Sequence, residues 1–129
     1  MKPTIAIIDR YPVLRQGLTL FLDGLLDDVS ITSSDDFQSF LQDHPGLKPD
    51  ILIVALGQRQ YESNVPLIMM VKLLFDLRRV IFYDEKADFA MLADYIRIGV
   101  TNYLSKDSGV AELKRVVQDV LDGASTVSR

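Results

Sequence analysis

Charged side chains stand just past the ends of several apolar runs in this chain. Asp9 and Arg10 follow Thr4-Ile5-Ala6-Ile7-Ile8, Asp84 follows Val80-Ile81-Phe82-Tyr83, and Ser105-Lys106-Asp107 follow Thr101-Asn102-Tyr103-Leu104. Gathered at one end of a sheet, such groups could chelate a hard cation, hold an anion, or neutralise one another. Mg²⁺ takes oxygen ligands in near-octahedral geometry and usually only one or two from carboxylates. Asp9 offers one, but Arg10 beside it repels a metal and supplies positive charge itself. Asp84 repels a phosphate. The acids Asp9 and Asp84 balance the bases Arg10 and Lys106, so an internal ion-pair network is one expectation. The other is pairs relaxed into solvent at a loop rim, each contributing about 0–1 kcal/mol. A further apolar run, Ile51-Leu52-Ile53-Val54, ends in Ala55-Leu56-Gly57 with no acid before Glu62. An alanine methyl offers neither a nucleophile nor a ligand. No catalytic residue and no metal ligand set is expected, and no cofactor is implied.

The elements that would bring these residues together alternate along the chain, with runs of strand length followed by amphipathic runs of helix length. The first run is short, rich in β-branched residues and apolar on both faces, as a central parallel strand must be. A helix follows with Pro12 in its first turn and Leu14, Leu18, Phe21, Leu22 and Leu25 at helical spacing. A weak strand over 29–32 suits a sheet edge. Ser34-Asp35-Asp36 caps a second helix that uses Phe37, Phe40 and Leu41 and stops at His44-Pro45-Gly46. The third strand covers 51–56, a polar loop 57–64, and a helix 65–77 that is apolar around almost its whole circumference. The fourth strand covers 80–83, the fourth helix 87–98 and the fifth strand 101–104. Ser108 caps a last helix with Val110, Leu113, Val117, Val120 and Leu121 on one face and Gly123 as its stop. This pattern predicts an α/β, doubly wound, flavodoxin-like (CheY-like) fold: a five-stranded parallel sheet in the order 2-1-3-4-5 with five helices. In such sheets functional groups collect beyond the carboxyl ends of the strands, which is where Asp9, Arg10, Ala55, Asp84 and Lys106 fall.

Length and composition narrow the classes. The 129 residues suit one domain, expected over 1–123, with the small polar tail 124–129 as the start of a linker. Hydrophobic residues at 48% and charged residues at 25% are those of a soluble globular protein, and the apolar stretches are too short to cross a bilayer. The absence of cysteine removes disulfides and thiolate metal sites, and no signal peptide precedes the first strand, so a cytoplasmic protein is expected. A net charge of −4 argues against nucleic-acid binding by this segment. His44, the single histidine, reads as a surface residue at a helix end.

Ile5-Ala6-Ile7-Ile8-Asp9-Arg10-Tyr11-Pro12-Val13-Leu14-Arg15-Gln16-Gly17-Leu18 resembles the opening of response-regulator receiver domains of the NarL/LuxR-like class, where an acidic pair is followed by His-Pro, an Arg and a Gly-Leu. Gly99-Val100-Thr101-Asn102-Tyr103-Leu104-Ser105-Lys106-Asp107 is similar to the fifth strand of that class, and Pro49-Asp50 leads the third strand as it does there. The resemblance covers essentially the whole chain. In working members an acidic pair holds Mg²⁺, a third Asp takes the phosphoryl group, a Thr or Ser hydroxyl and a Lys bind it, and an aromatic turns inward as the signal. This chain departs at Arg10 in the acidic pair, at Ala55 in the acceptor position and at Asp84 in the hydroxyl position. It keeps Lys106 and the switch aromatic, Tyr103.

The resemblance therefore implies a degenerate receiver, or pseudo-receiver: a bacterial two-component module that is phosphorylation-independent, is not an enzyme, and holds Tyr103 in a fixed rotamer. It implies a transcription regulator with a helix-turn-helix domain after residue 129. Expected partners are a second copy or another regulator protein, with a sensor kinase as a further candidate and neither nucleic acid nor membrane. The surplus apolar residues of the 65–77 helix, among them Leu67, Met70, Val71 and Leu74, mark a candidate interface. Two alternatives stand beside this reading: a sensor of anionic small molecules using Arg10 and Lys106, and an unorthodox phosphoacceptor.

Overall fold

Short runs of β-branched and aliphatic residues pair side by side in the computed structural model, which describes residues 2–57, 63–85 and 88–127. The strands are β1 (Thr4–Ile8), β2 (Ser30–Ser34), β3 (Ile51–Ala55), β4 (Val80–Asp84) and β5 (Asn102–Ser105). They form one parallel sheet in the order β2-β1-β3-β4-β5, as the alternating pattern predicts. Ile7 pairs with Ile53 and Ile53 with Ile81, so one row of side chains crosses the middle of the sheet. Alternate residues serve opposite faces. Ala6, Ile8, Leu52, Val54 and Phe82 pack under α2 (Phe37–Asp43), α3 (Val65–Leu74) and α4 (Phe89–Ile98). Ile5, Ile7, Ile51, Ile53 and Ile81 pack under α1 (Pro12–Leu25) and α5 (Val110–Val127).

Local chemistry sets the helix ends. Pro12 opens α1, where its missing N–H costs nothing. Asp36 caps α2 by accepting from the Ser39 amide at 2.8 Å, and Asp88 caps α4 by accepting from the Met91 amide at 3.2 Å. Gly99, at φ +125°, closes α4 with its amide donating to the Tyr95 and Ile96 carbonyls.

The helix expected over 65–77 stops at Leu74. Phe75 turns into extended backbone and sets its ring 5.9 Å from Phe37 and 6.2 Å from Phe40, and Asp76 then caps a 3-10 turn, Leu77–Arg79, leading into β4. Aromatic packing ends the helix where periodicity alone would extend it. The last helix departs from expectation in the other direction, because α5 passes through Gly123 to Val127. A single glycine costs a helix about 1 kcal/mol relative to alanine, and the buried row Leu113, Val116, Val117 and Val120 outweighs it. Its first intrahelical bonds go to the Gly109 carbonyl, one residue past the expected cap Ser108. The loop residues expected over 58–62, Ala87 at the start of the fourth helix, and Ser128 and Arg129 lie outside the described residues. Among the described residues no helix is long and apolar enough to cross a membrane.

Candidate functional site

The carboxyl ends of β1, β4 and β5 bring Asp9, Asp84 and Lys106 to one end of the sheet, with the buried Ala55 closing β3 beside Tyr83 of β4. Asp9 is 1% exposed, and its Oδ1 accepts from the Tyr11 amide at 2.9 Å, which ties the carboxylate to the entry of α1. Its Oδ2 stands 3.7 Å from Lys106 Nζ. The same ammonium lies 3.2 Å from Glu85 Oε1, and it sits 5.5 Å from the Tyr11 ring centroid and 5.7 Å from that of Tyr83. With its side chain 13% exposed, Lys106 is enclosed by two carboxylates and two aromatic faces. Arg15 adds a strap from α1, donating to the Asp9 carbonyl at 2.6 Å and pairing with Asp35 at 2.8 Å.

Asp84 has a different partner. It is 5% exposed, its Oδ1 accepts from the Glu85 amide at 2.9 Å, and its Oδ2 accepts from the Tyr103 hydroxyl at 2.6 Å. The Tyr103 oxygen in turn accepts from the Asp88 amide at 3.0 Å, so the aromatic is fixed at both ends of its hydroxyl. Burial pushes the Tyr103 phenol far above its ordinary value, and donation to Asp84 pushes it further in the same direction. Its ring lies 5.9 Å from that of Tyr95, a fully buried residue of α4. The Tyr95 hydroxyl accepts from Asn64 Nδ2 at 3.1 Å, and Asn64 Oδ1 accepts from the Gly57 amide at 3.0 Å. Gly57, at φ +72°, passes so close to Asp84 that a Cβ there would lie 2.9 Å from Oδ1. One chain of contacts thus runs from the end of β3 through α4 to β5 and back to β4.

The partners of Asp9, Asp84, Arg10 and Lys106 differ in kind. Lys106 joins Asp9, Asp84 joins Tyr103, and Arg10 is an exposed residue whose guanidinium lies 5.8 Å from the Tyr11 ring centroid. Glu85, Tyr11, Tyr83, Asn64 and Tyr95 escaped the sequence reading. Glu85 alone carried a signal, as the acid immediately after Asp84. On α3, the candidate interface residues separate as well: Met70 and Leu74 are exposed, Leu67 is half-buried against the core, and Val71 is fully buried. Val71 points at the sheet on the same side as Ile68, so it is no part of an outer surface.

A Mg²⁺ ion does not fit the donors present. Ala55 has no side-chain oxygen, Asp84 is turned to Tyr103, and Asp9 faces an ammonium where a cation would stand. Among the described residues no group of three His, Cys, Asp or Glu side chains could hold a metal.

No family model matches the chain, and no curated protein matches it. Solved structures do. The signal receiver domain of an HD domain-containing protein from Pseudomonas fluorescens Pf-5 matches with a TM-score of 0.80 at 22% identity, over 98% of this chain and 99% of that one. A two-component response regulator of the LuxR family from Aurantimonas sp. SI85-9A1 matches with a TM-score of 0.78 at 17% identity, over 95% and 87% of the two chains. The chain has the receiver fold. RcsB from Salmonella enterica serovar Typhimurium, solved bound to promoter rprA in the presence of phosphomimetic BeF3-, matches at 0.76 and 18% identity over 92% of this chain and 67% of that one. At these identities the likeness is one of fold, and the chemistry of this receiver fold has to be read from its own side chains.

Proposed function

We propose that this chain is an atypical receiver domain of a two-component-type transcription regulator, one that acts without phosphorylation as a dimerisation and protein-interaction module. The observation that carries this reading is the engagement of Lys106. The ammonium that would meet a phosphoryl group is enclosed by Asp9, Glu85 and two tyrosine rings, beside an acceptor position that is an alanine. Phosphoryl transfer depends on charge neutralisation by metal and cation around an in-line acceptor. Among the described residues this site holds neither an acceptor at position 55 nor a set of three metal-ligating side chains.

The module works by contact and not as an enzyme. Its partners are a second copy or another regulator, with a sensor kinase as a further candidate. Its net charge of −4 leaves DNA to a helix-turn-helix domain placed beyond a linker near the end of α5. The RcsB chain, solved on a promoter, extends past the part this chain matches, which supports that arrangement. The setting is the cytoplasm of a bacterium.

Incubation with acetyl phosphate and Mg²⁺ followed by intact-mass measurement tests the reading. The mass is expected to stay unchanged, and a phosphoryl adduct on any aspartate would establish the unorthodox phosphoacceptor instead. The exposed Arg10 at the mouth of the site favours the second reading, a sensor of anionic metabolites. A thermal-shift screen with anionic ligands separates the two, since only a sensor gains stability from them.

A further inference from the structure

The outer surface of α3 and α4 carries a feature that the closed site does not explain. The two helices lie side by side on one face of the sheet, and Lys72 of α3 donates to the Ile98 carbonyl at the end of α4. Both run from the carboxyl end of the sheet toward the other, so their residues meet level by level. Met69, Met70 and Leu73 face outward on α3, and Phe89 and Ile96 face outward on α4, with Leu73 82% and Phe89 79% exposed. The small residues Pro66, Ala90 and Ala93 are exposed with them and carry no charge. Lys72 is the one charged residue of α3, and its ammonium is directed to the last turn of α4. Asp94 and Arg97, the charges of α4, pair with each other at 2.9 Å, with Arg97 one turn beyond Ala93.

The outer face of α5 is different in kind, with Lys114, Arg115, Gln118, Asp119 and Asp122 exposed and Arg115 bridging Glu112 and Asp119. On α1 the exposed Val13 and Leu20 lie seven residues apart with Gly17 between them, a smaller apolar stripe. Scattered apolar residues need no partner, but a continuous patch does. From their exposures, the five large side chains on α3 and α4 leave on the order of 600 Å² of apolar surface open, near the upper end for a monomer's largest patch. That approaches the roughly 800 Å² that one partner gives to a standard interface.

We infer that the paired outer faces of α3 and α4 are the surface on which two copies of this chain associate. This rests on the contact-module reading above and names its surface. Electrostatics favours a second copy as the occupant. A chain of net charge −4 repels itself across most approaches, whereas on this face the one acid, Asp94, is paired with Arg97 and Lys72 adds a base, so a two-fold related copy meets no unpaired carboxylate there. Its area also suits a self-complementary contact better than a single inserted helix, which would cover one groove and leave the rest of the patch wet.

Sedimentation velocity from micromolar to near-millimolar concentration, on the full chain, tests this. The chain is expected to dimerise, and Leu73→Glu or Phe89→Glu is expected to weaken the dimer by about tenfold or more, with a circular dichroism melt reporting the fold of each variant. Leu20→Glu on α1 should leave the dimer intact. A dimer that survives both α3/α4 variants, or that only Leu20→Glu dissolves, overturns this surface, and so does a chain monomeric throughout. Those results stay distinct from failure of the contact-module reading, which is a phosphoryl adduct in the mass measurement.

Discussion

Removing the Lys106 ammonium would take a cation from beside Asp9, which is 1% exposed. Lys106→Ala is expected to cost about 1–3 kcal/mol, the usual penalty for stranding a buried polar partner, and to lower the urea midpoint accordingly. An unchanged melting temperature with unchanged association would show that the pair does not lock the site. Tyr103→Phe removes the hydroxyl from Asp84 and the Asp88 amide, with an expected loss of similar size. It also makes a pH prediction. The folded-state value of Tyr103 is raised above its unfolded value near 10, so its contribution is complete below about pH 10 and disappears as pH rises through the higher folded value. Burial raises Tyr83 and Tyr95 as well, so alkaline titration followed at the tyrosinate absorbance should show several late groups, of which Tyr103→Phe removes one. Asp9, Asp84 and Lys106 were legible in the sequence because each stands at or just past the end of a recognisable strand, and Tyr103, inside β5, through the resemblance of that segment to the receiver class. Their pairing was not. Arg10 follows Asp9 directly, yet its side chain is exposed, and Lys106 instead finds Glu85 and the rings of Tyr11 and Tyr83, neighbours that only the folded sheet brings near.

Helix and strand boundaries show which forces a sequence displays. The strands emerged from β-branched runs because that signal is local. The end of α3 was hidden, since Phe75 leaves the helix to reach Phe37 and Phe40 some thirty-five residues earlier in the chain. Gly123 misled for the opposite reason: a local stop signal was overridden by the buried row of α5. Gly57 is the loop position where backbone conformation and the site meet. Its φ of +72° and a Cβ position 2.9 Å from Asp84 Oδ1 leave no room for a side chain. Gly57→Ala is expected to destabilise by about 1–3 kcal/mol, measurable by chemical denaturation. It should also broaden the Tyr103 and Tyr95 ring signals in NMR, because Gly57 and Asp84 anchor both hydroxyls through Asn64 and directly.

For the whole molecule, a site satisfied from within predicts indifference to the usual stimulus. The association constant from sedimentation should be the same with and without acetyl phosphate and Mg²⁺, and a shift beyond error would mean that the pocket still listens. The fold was the most legible feature, because strand–helix alternation is written along the entire chain and admits few arrangements. The outer patch on α3 was half visible: the surplus of apolar residues was plain, but which ones face out depends on the helix's rotation against the sheet, and so Val71 proved to be core. The hydroxyl of Tyr103, held by a carboxylate of its own chain, has a consequence for control. On the proposed phosphorylation-independent contact reading, output would follow mass action. The cell would then set the response through synthesis and degradation of the polypeptide, and expression level would serve as the dial.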